Sequence, residues 1–111
     1  HYGGAFPVWL SPEQVRLIPI ADRHIEYAKQ VEDQLRQAHL RADTDASSSR
    51  MGAKIRDAQL MKVPYMLVVG DREVDDGTVA VRLRSGENLG AMPVADFVAR
   101  AQKAVEEKAL E

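Results

Sequence analysis

The Glu73 carboxylate and several guanidinium groups gather in the stretch Lys62 to Arg84, which reads KVPYMLVVGDREVDDGTVAVRLR. Glu73 follows a short apolar run, and Arg82 and Arg84 alternate with apolar residues further on. A guanine base offers adjacent hydrogen-bond donors that match one carboxylate. The guanidinium group of arginine can donate paired hydrogen bonds to carbonyl oxygens or to phosphate. These residues can therefore form either a solvated sheet edge with salt bridges or a surface that reads bases in single-stranded RNA.

Two predicted strands present these side chains. Tyr65 to Val69 is an unbroken apolar run, typical of a strand covered on both faces. After a polar turn, Thr78 to Arg84 alternates strictly, which places its valines and Leu83 on a core face and its arginines on a solvated face. Glu73 lies on the turn between the two strands.

The rest of the chain supplies further strands and helices. Strands are predicted at Val15 to Ala21, Arg41 to Asp45 and Asn88 to Met92, and helices from Arg23 to about Ala38, from Arg50 to Met61 and from Pro93 onward. Two right-handed crossovers make a parallel core, which the later strands extend antiparallel. The sequence thus predicts an α/β fold with a mixed five-stranded sheet flanked by three helices.

Three local features qualify this pattern. Pro19 conflicts with a strand interior, so we expect its amide position to face no partner strand. Asp22 is predicted to cap the first helix, and the hydroxyls of Ser47, Ser48 and Ser49 to cap the second.

Composition bounds the class of protein. The chain has 111 residues, 45% of them apolar and 29% charged, which is typical of one globular domain. Its net charge of −2 argues against binding nucleic acid mainly by phosphate attraction. No apolar run approaches the ~20 residues that cross a bilayer, so no membrane role is expected. The absence of cysteine excludes disulfides and thiolate chemistry, and favours a cytoplasmic location.

The first fourteen residues, HYGGAFPVWLSPEQ, show neither helical nor alternating period. They are interpreted as a linker (1–14) before a domain at 15–111, and His1 suggests a piece of a longer chain. Phe6, Trp9 and Leu10 are too apolar for a free linker, so the segment is expected to pack on this domain or on a neighbour.

Catalytic and metal-binding patterns are not evident. His1, His24 and His39 lack metal-ligand spacing and are interpreted as isolated surface or terminal residues. The serine run has no nearby base, and no phosphate-binding glycine motif follows a strand. The piece is expected to be non-catalytic.

Three blocks of the sequence carry a family resemblance that spans the chain. HYGGAFPVWLSPEQV, GAKIRDAQLMKVPYMLVVGDREVDDGTVAVRLR and LGAMPVADFV together closely resemble the C-terminal anticodon-binding domain of threonyl-tRNA synthetases, which are class II enzymes. The VPYMLVVGDREV block alone is similar to the wider group shared with the prolyl, histidyl and glycyl enzymes. Within this group, the opening FPVWLSPEQ and the VAVRLRSGENLG block indicate the threonyl enzymes.

The resemblance implies the same mixed five-stranded fold and a role in recognising the anticodon loop of threonine tRNA. It also implies an upstream catalytic domain of the same chain, which would hold the ATP, magnesium and zinc of the parent threonine-tRNA ligase. No cofactor is expected in this piece. The parent family is homodimeric largely through that catalytic domain, so a monomer is expected here.

The resemblance also implies RNA-binding residues. Glu73 stands where the family places a glutamate against the middle guanine of the anticodon, and Arg82 where it places an anticodon-contacting arginine. Ser48 takes the position of a base-contacting asparagine, which is a departure, as is Ala53 in place of an aromatic residue. Lys54, Arg56 and Arg84 are weaker candidates for contacts to the RNA backbone.

Two other classes of function stay open at the level of sequence. The same fold could serve a free-standing or accessory protein-interaction module that docks through Phe6 to Leu10. It could also bind a small molecule at the carboxyl ends of the first and third strands, although phosphate-loop glycines are missing.

Overall fold

Strands and helices alternate along most of the chain in the computed structural model, which describes residues 6–109 and residue 111. The strands are β1 (Val15–Pro19), β2 (Ala42–Thr44), β3 (Tyr65–Val69), β4 (Thr78–Leu83) and β5 (Asn88–Pro93). The α-helices are α1 (Ile25–Gln37), α2 (Met51–Leu60), α3 (Asp71–Asp76) and α4 (Val94–Glu106). Short 3-10 helices precede β1 at Val8–Leu10 and α1 at Asp22–His24.

The strands form one five-stranded sheet in the order β2-β1-β3-β4-β5. β1 pairs in parallel with both β2 and β3, while β4 pairs antiparallel with β3 and with β5. The predicted α/β fold with a mixed five-stranded sheet is therefore confirmed. The parallel pairs arise because a helix returns the chain after β1 and again after β2.

Helices cover the sheet unequally on its two faces. On one face, α1 and α4 pack over alternate residues of β1, β3 and β4, and this cluster contains the buried Tyr65, Leu67, Val81 and Phe97. On the other face, α2 covers Ile18, Met66 and Val68. Because Val79, Val81 and Leu83 face the first cluster, Arg82 lies on the face that carries α2.

Helix α3 occupies the place of the predicted polar turn between β3 and β4, which is a correction. Its six residues, DREVDD, bury no side chain, so the sequence carries no apolar period that would reveal a helix. Gly77 ends α3 with φ 70°, a left-handed conformation that glycine adopts without steric cost. The three longer helices are those predicted.

Pro19 lies at the end of β1, where the expectation from sequence holds. β2 pairs with β1 only as far as Thr44, opposite Leu17, so no strand faces Pro19 on that side. On the other side Pro19 pairs with Val69, and the next amide, of Ile20, donates to the Val69 carbonyl at 3.0 Å. The missing amide hydrogen therefore costs no ladder bond.

The predicted helix caps are wrong in both cases. Arg50 is the N-cap of α2, without a side-chain cap hydrogen bond, so the serines that precede it do not cap this helix. Asp22 begins a 3-10 helix whose N-cap is Ala21. The three serines lie in a bend before α2 instead.

Residues 6–14 pack on the sheet domain. Val8 is fully buried and its amide donates to the Ala109 carbonyl at 3.0 Å, while Gln14 Nε2 donates to the Val8 carbonyl at 2.9 Å. Phe6, Trp9 and Leu10 nevertheless stay exposed. None of the helices among residues 6–109 and 111 has the length and apolar character needed to cross a membrane.

Candidate nucleic-acid interface

The carboxyl ends of β1, β2 and β3 meet at one edge of the sheet, because the three strands are parallel. This carboxyl edge carries the loop from β2 to α2, which contains Ser48, and the corner from β3 to α3, which contains Glu73. The antiparallel β4 begins at the same edge, with Thr78. Topology therefore brings together two predicted site residues that are 25 positions apart (73 − 48 = 25).

Glu73 is held by the start of its own helix. One carboxylate oxygen, Oε1, accepts a hydrogen bond from the Gly70 amide at 2.8 Å, which is the half of a capping box that a glycine N-cap can form. Among the described residues, none donates a hydrogen bond to Oε2. The Glu73 side chain is partly exposed. Burial of the Tyr27 phenol raises the pKa of that phenol, and the nearby negative charge of Glu73 raises it further. The structure thus presents an oriented acceptor at the carboxyl edge.

Asp71, at the first position of α3, joins this corner to the start of α1. Its Oδ1 lies 2.6 Å from His24 Nε2 and 3.0 Å from Arg23 Nε, and its Oδ2 lies 2.9 Å from Arg23 Nη2. Hydrogen bonds from Arg23 and then His24 hold the pKa of the Asp71 carboxyl well below its usual range. The carboxylate therefore stays charged and bonded in neutral solution.

The interpretation of His24 as an isolated surface residue is wrong. Its side chain is 3% exposed, and its Nδ1 accepts the Ala21 amide at 3.1 Å. With Nδ1 as the acceptor, Nε2 carries the proton and donates it to Asp71. Sequence reasoning missed this contact because the two partners are 47 residues apart and share no spacing motif.

Arg82 lies on β4, on the sheet face that carries α2 and outside the buried cluster that α2 covers. It pairs with Met66 of β3 and Asn88 of β5, beside an irregularity in the β4–β5 ladder. The side chain is partly exposed, and within the described residues its guanidinium makes no hydrogen bond or ion pair. This cation is therefore available to a ligand on the open part of the face.

Glu73 and Arg82 do not lie side by side. Arg82 is four residues along β4 from Thr78, which places it roughly 13 Å from the carboxyl edge at ~3.3 Å per residue. Glu73 lies at that edge, near Tyr27 of α1. The two groups therefore lie at separate points of the surface.

Ser48 is exposed in the loop that follows β2. The Asp45 amide ties this loop to β1 by donating to the Leu17 carbonyl at 2.9 Å, and the Ser47 amide donates to Asp45 Oδ1 at 3.0 Å. These bonds shape the loop around Ser48 without using its own side chain. Its hydroxyl thus lies at the same edge as Glu73.

Lys54 is placed in the interior. Its side chain is 3% exposed, and Nζ donates to the Pro19 carbonyl at 3.0 Å. A contact to RNA phosphate would require the ammonium to leave this buried carbonyl, so the placement favours a structural role over the predicted backbone contact. Lys54 secures the end of β1 to α2.

We expect Lys54→Met to lower the free energy of unfolding by about 1–3 kcal/mol, because it leaves the buried Pro19 carbonyl without its donor. Urea denaturation measures this loss. Arg56→Met on the same helix is the matched control, since Arg56 is exposed, and should stay within about 0.5 kcal/mol of the parent. Equal stability of both variants would contradict the assigned role.

Arg84 lies at the opposite edge of the sheet, which is a second departure from the predicted cluster. Its Nη2 donates to the Phe6 carbonyl at 2.6 Å and its Nη1 to the Lys62 carbonyl at 3.2 Å. Burial lowers the pKa of its guanidinium. Arg84 thus anchors the segment before β1, and the structure does not bring it to Glu73 or Ser48.

Comparison with known proteins identifies the family. The model of the family described as "Anticodon binding domain" matches residues 14–104. The chain is 49% identical over its full length to a threonine–tRNA ligase of Symbiobacterium thermophilum, and 56% identical over 86% of its length to that of Dehalococcoides mccartyi. It spans only 17% and 16% of the lengths of these relatives.

Solved structures show the same fold. The RNA-binding domain of threonyl-tRNA synthetase from Cryptosporidium parvum superposes with a TM-score of 0.87 at 30% identity, over 100% of this chain and 27% of that one. A prolyl-tRNA synthetase from the same organism gives 0.82 at 25% identity, over 94% of this chain and 22% of that one. The resemblance in the sequence is confirmed: the chain belongs to the anticodon-binding domain family.

Proposed function

We propose that this chain is the anticodon-binding domain of a threonyl-tRNA synthetase and that it binds the anticodon loop of threonine tRNA. The observation that carries the proposal is the oriented Glu73 carboxylate, which has one oxygen engaged by Gly70 and the other directed to no described donor. The identity to threonine–tRNA ligases across the whole chain supports the choice of tRNA.

Glu73 acts as the reader of the middle anticodon base. Threonine codons fix guanine at that position of the anticodon, and the Watson–Crick edge of guanine presents N–H donors. A carboxylate offers only acceptors and therefore matches guanine and repels bases that present an acceptor there. The hydrogen bond to Gly70 restricts the side chain, so less conformational entropy is lost on binding.

Arg82 and Ser48 contact other nucleotides of the same loop. The loop lies along the carboxyl edge and continues onto the open part of the α2-bearing face, where the Arg82 guanidinium makes no bond with the described residues. Arg82 binds phosphate or a carbonyl oxygen, and the Ser48 hydroxyl supplies a short polar contact. Arg56, exposed on α2, is a candidate for a more distant backbone contact.

Affinity of the separate domain is expected to be weak, because the chain has a net charge of −2 and gains little from general phosphate attraction. In the parent enzyme, binding at this domain positions the acceptor end of the tRNA at a distant active site. Among the described residues, no group of His, Cys, Asp or Glu is placed to hold a metal ion. In this proposal, the catalytic domain of the parent enzyme holds its zinc, magnesium and ATP.

We expect Arg82→Ala to weaken binding of anticodon hairpins about ten-fold, whatever their middle base, and to reduce the slope of log affinity against log salt by about 1. The reason is that this cation contacts RNA without reading the middle position. Fluorescence anisotropy at several salt concentrations measures both quantities. Lys103→Ala, which removes an exposed cation of α4 on the other face of the sheet, is the matched charge control. An unchanged affinity and salt slope for Arg82→Ala would remove this residue from the interface.

The proposal as a whole is tested by titrating the chain with a threonine anticodon hairpin and with the same stem carrying an unrelated loop. We expect micromolar or weaker binding to the first and weaker binding still to the second. Equal affinity for both loops, or nanomolar binding to both at physiological salt, would contradict sequence-specific recognition.

A further inference from the structure

Helix α3 carries Glu73 but contributes nothing to the apolar core. None of its six side chains is buried, and Val74, its only large apolar residue, is 38% exposed. Most helices in globular proteins are held in place by an apolar face that packs on the core. The position of this helix must therefore be set by its ends and by polar contacts.

Those polar contacts converge on Asp71, two residues before Glu73. The guanidinium group of Arg23 donates to both carboxylate oxygens of Asp71, at 3.0 and 2.9 Å, and His24 Nε2 lies 2.6 Å from Oδ1. The His24 ring is fixed in turn, because it is 3% exposed and its Nδ1 accepts the Ala21 amide at 3.1 Å. A buried ring bonded at both nitrogens gives Asp71 a rigid reference point on the body of the domain.

We infer that Arg23, His24 and Asp71 are positioning residues that set the place of the Glu73 carboxylate, and thereby the selectivity for the middle anticodon base. This inference rests on the proposed function, since it assigns a cause to the accuracy of that same site. A displaced acceptor still binds RNA but no longer aligns with the donors of guanine.

The geometry separates this role from general stabilisation. The side chains of Arg23 and Asp71 are 68% and 67% exposed, so little apolar area depends on them. Their loss should release the corner from β3 to α3 and leave the two packed faces of the sheet in place. Base selectivity should therefore change more than global stability.

The test compares Asp71→Asn with Asp75→Asn, which makes the same charge change at an exposed residue of the same helix. Affinities are measured for two threonine anticodon hairpins that differ only in guanine or adenine at the middle position. We expect Asp71→Asn to lower the guanine-to-adenine affinity ratio at least about five-fold, and Asp75→Asn to leave it unchanged. Arg23→Met, which removes only the exposed partner, should lower the ratio in the same direction.

A second arm distinguishes this inference from the proposed function. In the Glu73→Gln background, Asp71→Asn should produce no further change of the ratio, because the reader that it positions has already been removed. If Glu73→Gln alone changes the ratio but Asp71→Asn behaves like Asp75→Asn, the positioning role is overturned and the proposed function stands. If Glu73→Gln leaves the ratio unchanged, the assignment of Glu73 as the reader fails, and the inference fails with it.

Discussion

Glu73→Gln is expected to lower the preference for guanine over adenine at the middle anticodon position by about ten-fold or more, since a hydrogen bond to a charged group is worth about 1.5–3 kcal/mol. The structure gives the direction of the change. Glutamine can keep its carbonyl oxygen on the Gly70 amide, which directs its NH2 group outward, where the carboxylate had an acceptor. That donor opposes the donors of guanine and matches the N1 acceptor of adenine.

Two controls make this result specific. Stability should stay within about 0.5 kcal/mol of the parent, because glutamine serves a capping box as glutamate does. Glu73→Ala, by contrast, removes both the reader and the cap, so it should also lower the free energy of unfolding by about 1 kcal/mol. Hairpin affinities by anisotropy and unfolding by urea separate these effects. Unchanged discrimination in both variants would show that another group reads the base.

Phe97→Ala is expected to have the largest effect on stability, a loss of about 3–5 kcal/mol. Phe97 of α4 is fully buried, and its ring meets Tyr65 of β3 edge-on, with centroids 5.1 Å apart and an interplanar angle of 86°. This contact joins α4 to the central strand that leads to Gly70 and Glu73. Since small domains have only about 5–15 kcal/mol of total stability, much of the protein should unfold on mild heating.

Chemical denaturation measures this change, and Leu60→Ala is the control because Leu60 is 72% exposed and should cost less than about 0.5 kcal/mol. RNA binding by Phe97→Ala should fall only in proportion to the unfolded fraction, unlike the selective change expected for Glu73→Gln. A loss below about 1 kcal/mol for Phe97→Ala would contradict the described packing of α4.

The central part of the fold could be predicted because its residues follow simple periods. Tyr65 to Val69 is an apolar run that proves to be fully buried on both faces, and Thr78 to Leu83 alternates in burial as it alternates in sequence. Those two patterns also place Arg82 on a partly exposed face. The parallel core and its antiparallel extension followed from the crossover rules and from the positions of the helices.

Helix α3 could not be predicted from its residues, because a helix without a buried side chain has no apolar period. The signals that it does carry are local: Gly70 before it, Glu73 at its third position and Gly77 after it. A capping-box interpretation of Gly70 with Glu73 would have predicted the helix. It would also have predicted that one oxygen of Glu73 is engaged.

Whether a predicted cationic side chain is exposed or bonded within the fold depends on residues distant in sequence, which the spacing of residues does not reveal. Lys54 and Arg56 are near neighbours on α2, yet one is buried against Pro19 and the other is exposed. Arg84 shares the alternation of Arg82 but bonds the carbonyls of Phe6 and Lys62 at the other edge. Burial of a cation follows from which carbonyl groups the fold leaves nearby, which is a tertiary property.

The most direct test of the account is NMR mapping of amide shifts on addition of a threonine anticodon hairpin, repeated with a hairpin whose middle base is adenine. The account predicts that the guanine hairpin perturbs Gly70 to Glu73, the loop around Ser48 and the strand around Arg82, and that the adenine hairpin loses chiefly the perturbations near Glu73. Identical perturbations from both hairpins, or perturbations confined to the opposite edge around Arg84, would contradict it.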